Sequence, residues 1–249
     1  MSRSCVHDAQ LASGTFGEGP VGSPEARTSS REPRTSATCR RQRLWRLPEV
    51  KQIRDLSADA AVDGILLQHP MPAHIDERAA FEAISPAKDV DGVTMHSFAA
   101  MAFGEPGFYS CTPGGIVRLL DAYDVELAGH HAVVVGRSPI LGKPVGMLLL
   151  AREATVTFCH SKTVGLADVV RQGDVVVAAA GKRELIRGEW TKPGAVIIDA
   201  GYNQGNIGDV DFAGASTNAS LITPVPGGVG PMTIATLVQQ TVAAAEQAL

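Results

Sequence analysis

Thr223-Pro-Val-Pro-Gly-Gly-Val-Gly-Pro-Met232 packs three prolines and three glycines into one short run ahead of a helix-like stretch. Glycine permits φ > 0 and close backbone approach, and proline fixes φ and removes a donor. The run has two readings: a rigid, side-chain-poor rim that holds a flat ligand with its backbone, or a tight turn before the last helix. A second candidate is Val133-Val-Val-Gly-Arg-Ser-Pro-Ile-Leu-Gly142, which reads as strand, glycine turn and helix start. Free N–H groups at such a helix start bind pyrophosphate. The spacing departs from G-x-G-x-x-G, because Ser138 stands at the second glycine and Gly142 comes one residue late, so an ordinary βα turn competes. The next strand ends in Cys159-His-Ser-Lys-Thr163, without the acid that the ribose of NAD requires about 20 residues on. Ser161, Lys162 and Thr163 are donors, and Arg137 adds positive charge unless it is only a solvated loop arginine. A 2′-phosphate needs that combination, so these residues favour NADP.

Composition narrows the class. The 249 residues suit one large or two modest domains, and a 45% hydrophobic, 5% aromatic content implies an aliphatic core. A net charge of −4 gives no reason to expect nucleic acid as a partner. No apolar run reaches membrane-spanning length, and the start lacks the layout of a secretory signal. Cys5, Cys39, Cys111 and Cys159 are far apart and lack metal-ligand spacing, which fits a reduced, cytoplasmic setting. The pair His130-His131 has no third ligand in view and reads as a solvated turn. Residues 1–46 differ from the rest: eight Arg against four acids, no Lys or Tyr, and much Ser, Thr, Pro and Gly. This segment reads as disordered, and three origins compete: a transit peptide, a basic tail, or a wrong start or shifted reading frame.

The elements that must position the candidate residues follow from periodicity. A short helix is expected over 50–56, a strand over 62–68, and a helix from the N-cap Asp76 through Ala83. Pro86–Gly92 reads as a charged loop. Thr112-Pro113 predicts an N-cap and an N1 proline. Strands are expected over 131–135, 154–159, 174–180, 195–199 and 220–223, with helices over 142–150 and near 165–171. All-apolar strands in βα alternation mean an α/β fold with a parallel sheet covered on both faces. The final helix, from Thr233, places Ile234, Leu237, Val238 and Val242 on one face.

Together these runs resemble the bifunctional methylenetetrahydrofolate dehydrogenase/cyclohydrolase family. The resemblance is carried in order by Asp63–Pro72, Lys88-Asp-Val-Asp-Gly92, Cys111-Thr-Pro113, Gly136-Arg-Ser138 with Gly142, Thr155–Thr157 with His160–Thr163, and Thr223–Thr233. It runs from about Leu47 to the end. It implies a small catalytic α/β domain over 47–112, incomplete here, to which a helix over 232–249 returns. It also implies a Rossmann-like NADP-binding domain over 113–231. By the same resemblance Gly136, Arg137, Ser138 and Ser161 hold NADP, and Tyr202 lies near the nicotinamide. Pro226, Gly227, Gly228, Val229 and Gly230 line a folate cleft with Leu67, Gln68 and His69. Asp91 binds the pterin, Gln68 sits beside a catalytic lysine, and Cys111 lies near the cleft without a chemical role. Tetrahydrofolate derivatives are then the substrates, and the assembly a homodimer.

One feature of the family is missing. Its Tyr-x-x-x-Lys motif lies on a helix well upstream of Gln68, yet no lysine precedes Lys51 and no tyrosine precedes Tyr109. Lys51 is 17 positions before Gln68, on the wrong helix, and does not inherit the role. Hydrolysis of the methenyl product needs a poised base, so that step is expected to be weak or lost while oxidation of 5,10-methylenetetrahydrofolate remains. A non-catalytic NADP-binding remnant, or a partner of an intact homologue, is the alternative. An unrelated Rossmann dehydrogenase is a third, against which Lys88–Gly92 and the Pro/Gly tail argue. His69, Ala200 and Tyr202 replace the family's usual Leu, Val and Ile.

Overall fold

Five short strands form one sheet in the computed structural model, which describes residues 50–248. They are β1 (His131–Val135), β2 (Thr155–Cys159), β3 (Val175–Ala178), β4 (Val196–Asp199) and β5 (Leu221–Ile222). Their order is β2-β1-β3-β4-β5, and every neighbouring pair is parallel. The segment 1–46 lies outside the described residues.

Both faces of the sheet are covered, which is why its strands read as continuous apolar runs. Val134, Val175, Val177 and Ile198 point to one core, shared with helices α4 (Cys111–Ala122) and α5 (Gly142–Ala151). Val133, Val135, Val176 and Ile197 point to the other, against α6 (Leu166–Val170), Ile186, Val210 and α7 (Phe212–Ala215). Ahead of the sheet lie α1 (Val50–Ala58), α2 (Glu77–Phe81) and α3 (Met95–Phe103). Ile53, Ile65, Leu67, Phe81, Ile84 and Val93 form their own buried cluster. Asp76 caps α2 by accepting from the Ala79 N–H at 3.1 Å. The long last helix, α8 (Val229–Gln247), crosses α4.

Three local expectations are corrected. Residues 62–68 are not in a strand: one backbone bond, Ile65 N–H to Lys88 O at 2.8 Å, ties them sideways, and no strand among the described residues lies beside them. Thr112 does not cap α4, which begins one residue earlier behind Ser110. The Ser110 hydroxyl instead donates to Gly92 O (2.7 Å), and Thr112 Oγ1 accepts from Thr233 Oγ1 (3.0 Å). Finally, α8 starts at Val229 rather than Thr233, and Ile234, Val238 and Val242 lie exposed. Its buried side carries Val229, Thr236 and Ala244. The cause is the close approach of α4: a Cβ on Gly115 would stand 2.9 Å from the Met232 carbonyl carbon. At that contact α4 has no room for a side chain, so the backbone of α8 lies directly against Gly115.

Two buried carboxylates brace the loops beyond β3 and β4. Asp199 accepts from the N–H groups of Gly201, Asp209 and Val210 at 2.9–3.0 Å. Burial pushes its pKa up, and those bonds oppose the rise. Asp209, fully buried, accepts from the N–H groups of Ala180 and Gly181 (2.7 Å each), Lys182 (2.8 Å) and from Asn203 Nδ2 (3.0 Å). Four donors saturate a carboxylate, and an amide cannot accept them all. Asp209→Asn is therefore expected to cost about 1–3 kcal/mol of stability, read as a lower urea midpoint; an unchanged midpoint would refute this bracing.

Candidate active site

Parallel strands bring all five C-terminal ends to one edge of the sheet. Each end leads into a segment singled out by its residue types. Gly136-Arg-Ser138 follows β1, Ser161 follows β2, Ala179–Lys182 follow β3, Tyr202 follows β4, and Pro226–Gly230 follow β5. The chain passes from β1 outward to β2 and then back across to β3, so the crevice for a nucleotide opens beside β1.

The β1 turn is shaped for close approach. Gly136 adopts φ 150°, and a Cβ there would collide with Ala179 O. A Cβ on Gly142 would lie 2.6 Å from the Gly136 carbonyl. Ser138 Oγ accepts from the N–H groups of Leu141 and Gly142, both at 3.1 Å, and keeps its own O–H as a donor. Arg137 is exposed and makes no ion pair among the described residues. Beyond β2, His160 Nδ1 accepts from Lys162 N–H (3.1 Å) and its own N–H donates to Thr163 Oγ1 (2.8 Å). That brace leaves Ser161 and Lys162 exposed. Tyr202 is 71% exposed, its hydroxyl donating to Asn206 Oδ1 at 2.6 Å. A bare backbone cradle, two hydroxyls and two cations fit a phosphorylated nicotinamide dinucleotide.

A second set gathers where α4 begins. Asp89 is fully buried and is spent on structure, accepting from Val93 N–H (3.1 Å), Thr94 N–H (2.9 Å) and Ser97 Oγ (2.6 Å). Asp91 is the carboxylate left over. Burial raises its pKa from 3.8 to about 6; the Cys111 thiol's hydrogen bond opposes this and the Asp89 charge adds to it. Burial and the neighbouring Asp91 charge push the Cys111 thiol up, so it is no thiolate nucleophile. The Thr233–Thr112 bond joins the start of α8 to the start of α4. Leu67 is buried, whereas Gln68 is exposed and donates to His69 O at 3.0 Å. The His69 ring meets Phe81 edge-on at 6.3 Å. No hydrogen bond joins Gln68 to Asp91 among the described residues.

Other features fall outside the site. His131 is held by Thr157 Oγ1 (2.8 Å) and Gln172 O (3.2 Å). An apolar cavity of about 340 Å³, lined by Leu119, Tyr123, Val196, Leu221, Gly227 and Gly228, lies between the later turns of α4 and the Pro/Gly run and offers no charged side chain to orient a polar ring. Motif reading missed Asp199, Asp209 and Gln240. For Asp209 the only cue is an acid set between Gly208 and Val210; for Gln240 there is none, since its neighbour Gln239 has the same side chain and is exposed.

The comparisons with known proteins agree with this geometry. The model for the tetrahydrofolate dehydrogenase/cyclohydrolase NAD(P)-binding domain matches residues 110–249, and that for the catalytic domain matches residues 28–91. The second match begins inside 1–46, where motif reading finds no family counterpart. Bifunctional protein FolD 1 of Streptomyces avermitilis is 72% identical over 200 residues, 80% of this chain and 70% of that protein. Bifunctional protein FolD of Shouchella clausii is 59% identical over 79% of this chain and 71% of its own. The crystal structure of the FolD methylenetetrahydrofolate dehydrogenase/cyclohydrolase of Campylobacter jejuni superposes with a TM-score of 0.78 at 44% identity, covering 80% of this chain and 73% of that one. The Trypanosoma brucei FolD, complexed with NADP cofactor and inhibitor, gives 0.76 at 38% identity, covering 80% and 71%. With both domain models and these relatives in agreement, the chain belongs to the tetrahydrofolate dehydrogenase/cyclohydrolase family.

Proposed function

We propose that this polypeptide oxidises 5,10-methylenetetrahydrofolate to 5,10-methenyltetrahydrofolate with NADP⁺, and hydrolyses that product weakly or not at all. The observation that carries the reading is the convergence of the Gly136–Ser138 cradle, the Ser161–Lys162 donors and the Pro/Gly run on one sheet edge, with Asp91 at the head of α4. NADP⁺, when bound, supplies the hydride acceptor. A hydride leaves the methylene carbon and a delocalised cation remains, so no side chain has to remove a proton. The chain's task is alignment. Arg137, Ser138, Ser161 and Lys162 hold phosphate oxygens. The ionised Asp91 accepts hydrogen bonds from pterin N–H groups, and Pro226–Gly230 present backbone to the ring.

Hydrolysis differs, because water must attack and protons must move. No lysine precedes Lys51 in this chain, and Lys51 lies on α1 only 17 positions before Gln68, so the lysine of the family's Tyr-x-x-x-Lys motif has no counterpart on this reading. Loss of a positioned acid–base group costs about 10²–10⁴-fold. The domain division at 112/113, the cytoplasmic setting, the homodimer and the shifted-frame origin of 1–46 belong to the same reading and rest on the family resemblance. The missing lysine also favours a second reading, a non-catalytic NADP-binding remnant or partner of an intact homologue.

Three outcomes are expected. The purified chain oxidises 5,10-methylenetetrahydrofolate while hydrolysing the methenyl product roughly 10²–10⁴-fold more slowly than intact relatives. Hydrolysis at the relatives' rate would refute the lost step, and NADPH binding without oxidation would establish the remnant. Arg137→Ala weakens NADPH by about 10–100-fold in a fluorescence titration and leaves NADH unchanged, as expected for a lost charge-assisted bond; equal losses would remove its phosphate role. For Asp91 the folded pKa lies above the ordinary value, so the folded state binds the proton more tightly and stability falls as pH rises from about 4 to about 6. Asp91→Asn should therefore raise the urea midpoint more at about pH 8 than at about pH 5, while abolishing the gain in tetrahydrofolate affinity that the parent shows on passing through its folded pKa.

A further inference from the structure

Gln240 lies about three turns into α8, the helix whose first turn follows the Pro/Gly run. Its amide reaches across to the opposite wall of the site. Nε2 donates to Val90 O (2.7 Å) and Tyr109 O (2.9 Å) and lies 3.3 Å from Cys111 Sγ, while Oε1 accepts from Tyr109 N–H (3.0 Å). These partners flank Asp91 on both sides. Val90 is its chain neighbour, and Cys111 donates its N–H to Asp91 O (3.2 Å). The Cys111 thiol contacts Val90 O (3.2 Å) and hydrogen-bonds the Asp91 carboxylate. Gly92, at φ 65°, packs against the Tyr109 carbonyl so closely that no Cβ would fit. The strips 90–92 and 109–111 therefore touch directly, and Gln240 clips them together from a third element.

We propose that Gln240 is a positioning residue for folate: it fixes the Asp91 carboxylate relative to the Pro226–Gly230 run at the head of its own helix. One rigid helix carries both the run and the clip, so the two halves of the pterin site keep a set spacing. The proposal rests on the reading of Asp91 and the Pro/Gly run as the pterin site. A purely structural clamp would affect every ligand alike, whereas a positioning residue affects folate and spares the dinucleotide, whose cradle lies at β1.

The test is a double-mutant cycle of Gln240→Met and Asp91→Ala, read by calorimetric binding of tetrahydrofolate and fluorescence titration of NADPH. Gln240→Met is expected to weaken tetrahydrofolate roughly tenfold or more, the loss of one or two buried hydrogen bonds, with NADPH within about twofold. In the Asp91→Ala background it should weaken tetrahydrofolate no further. Equal weakening of both ligands, unchanged tetrahydrofolate affinity, or additive losses would overturn the proposal. Should Gln240→Met fail to unfold cooperatively in urea, Gln240→Glu supplies the same readout, since it keeps the Tyr109 N–H acceptor and loses both donors. An Asp91→Ala variant that binds tetrahydrofolate like the parent would sink the pterin-site reading itself, a result distinguishable from failure of Gln240 alone.

Discussion

A parallel sheet buried on both faces has nowhere to do chemistry except at its strand ends. Val133, Val134, Val176 and Val177 are sealed between helices, and their backbone groups are spent on the ladder. The loops beyond Val135 and Cys159 carry the exposed donors Arg137, Ser161 and Lys162. The fit of Gly136 against Ala179 O shows how tight that edge is: the β1 and β3 ends approach until no side chain can stand between them. Asp199 and Asp209 then hold the outer loops in place with backbone hydrogen bonds, which keeps the edge ordered without filling it.

The other half of the site depends on a helix crossing. Gly115 on α4 lets α8 approach to backbone distance, with Met232 against Gly115 and Thr233 on Thr112. Asp91 is costly there, because burial disfavours its charge. The neighbouring Asp89 shows the contrast: three donors satisfy it, and it serves as a brace. A carboxylate kept under-satisfied in a partly enclosed corner is what a ligand with several N–H groups can complete.

Much of this was legible in the residues. The apolar runs of β1, β3 and β4 read as buried strands, and Asp76 announced its helix. The Gly136–Gly142 turn was readable as a close-approach turn because glycine is required where backbones touch. Residues 62–68 misled: an apolar extended run has the same pattern whether or not a partner strand lies beside it. The apolar stripe of α8 was readable as one face, but periodicity does not say which neighbour, if any, uses it.

The sequence by itself determined the strands, the glycine turn, the Pro/Gly run and the lack of a lysine ahead of Lys51, because each is a local matter of residue type and spacing. Tertiary structure alone decided that Asp91 stays free while Asp89 is spent, and that Asp209 binds a distant loop. It also decided that Gln240 faces the site while Gln239 faces solvent. The Asp209 and Gln240 assignments turn on groups that meet across 27 to 150 residues of chain, and side chains of identical chemistry differ only in what packing places against them.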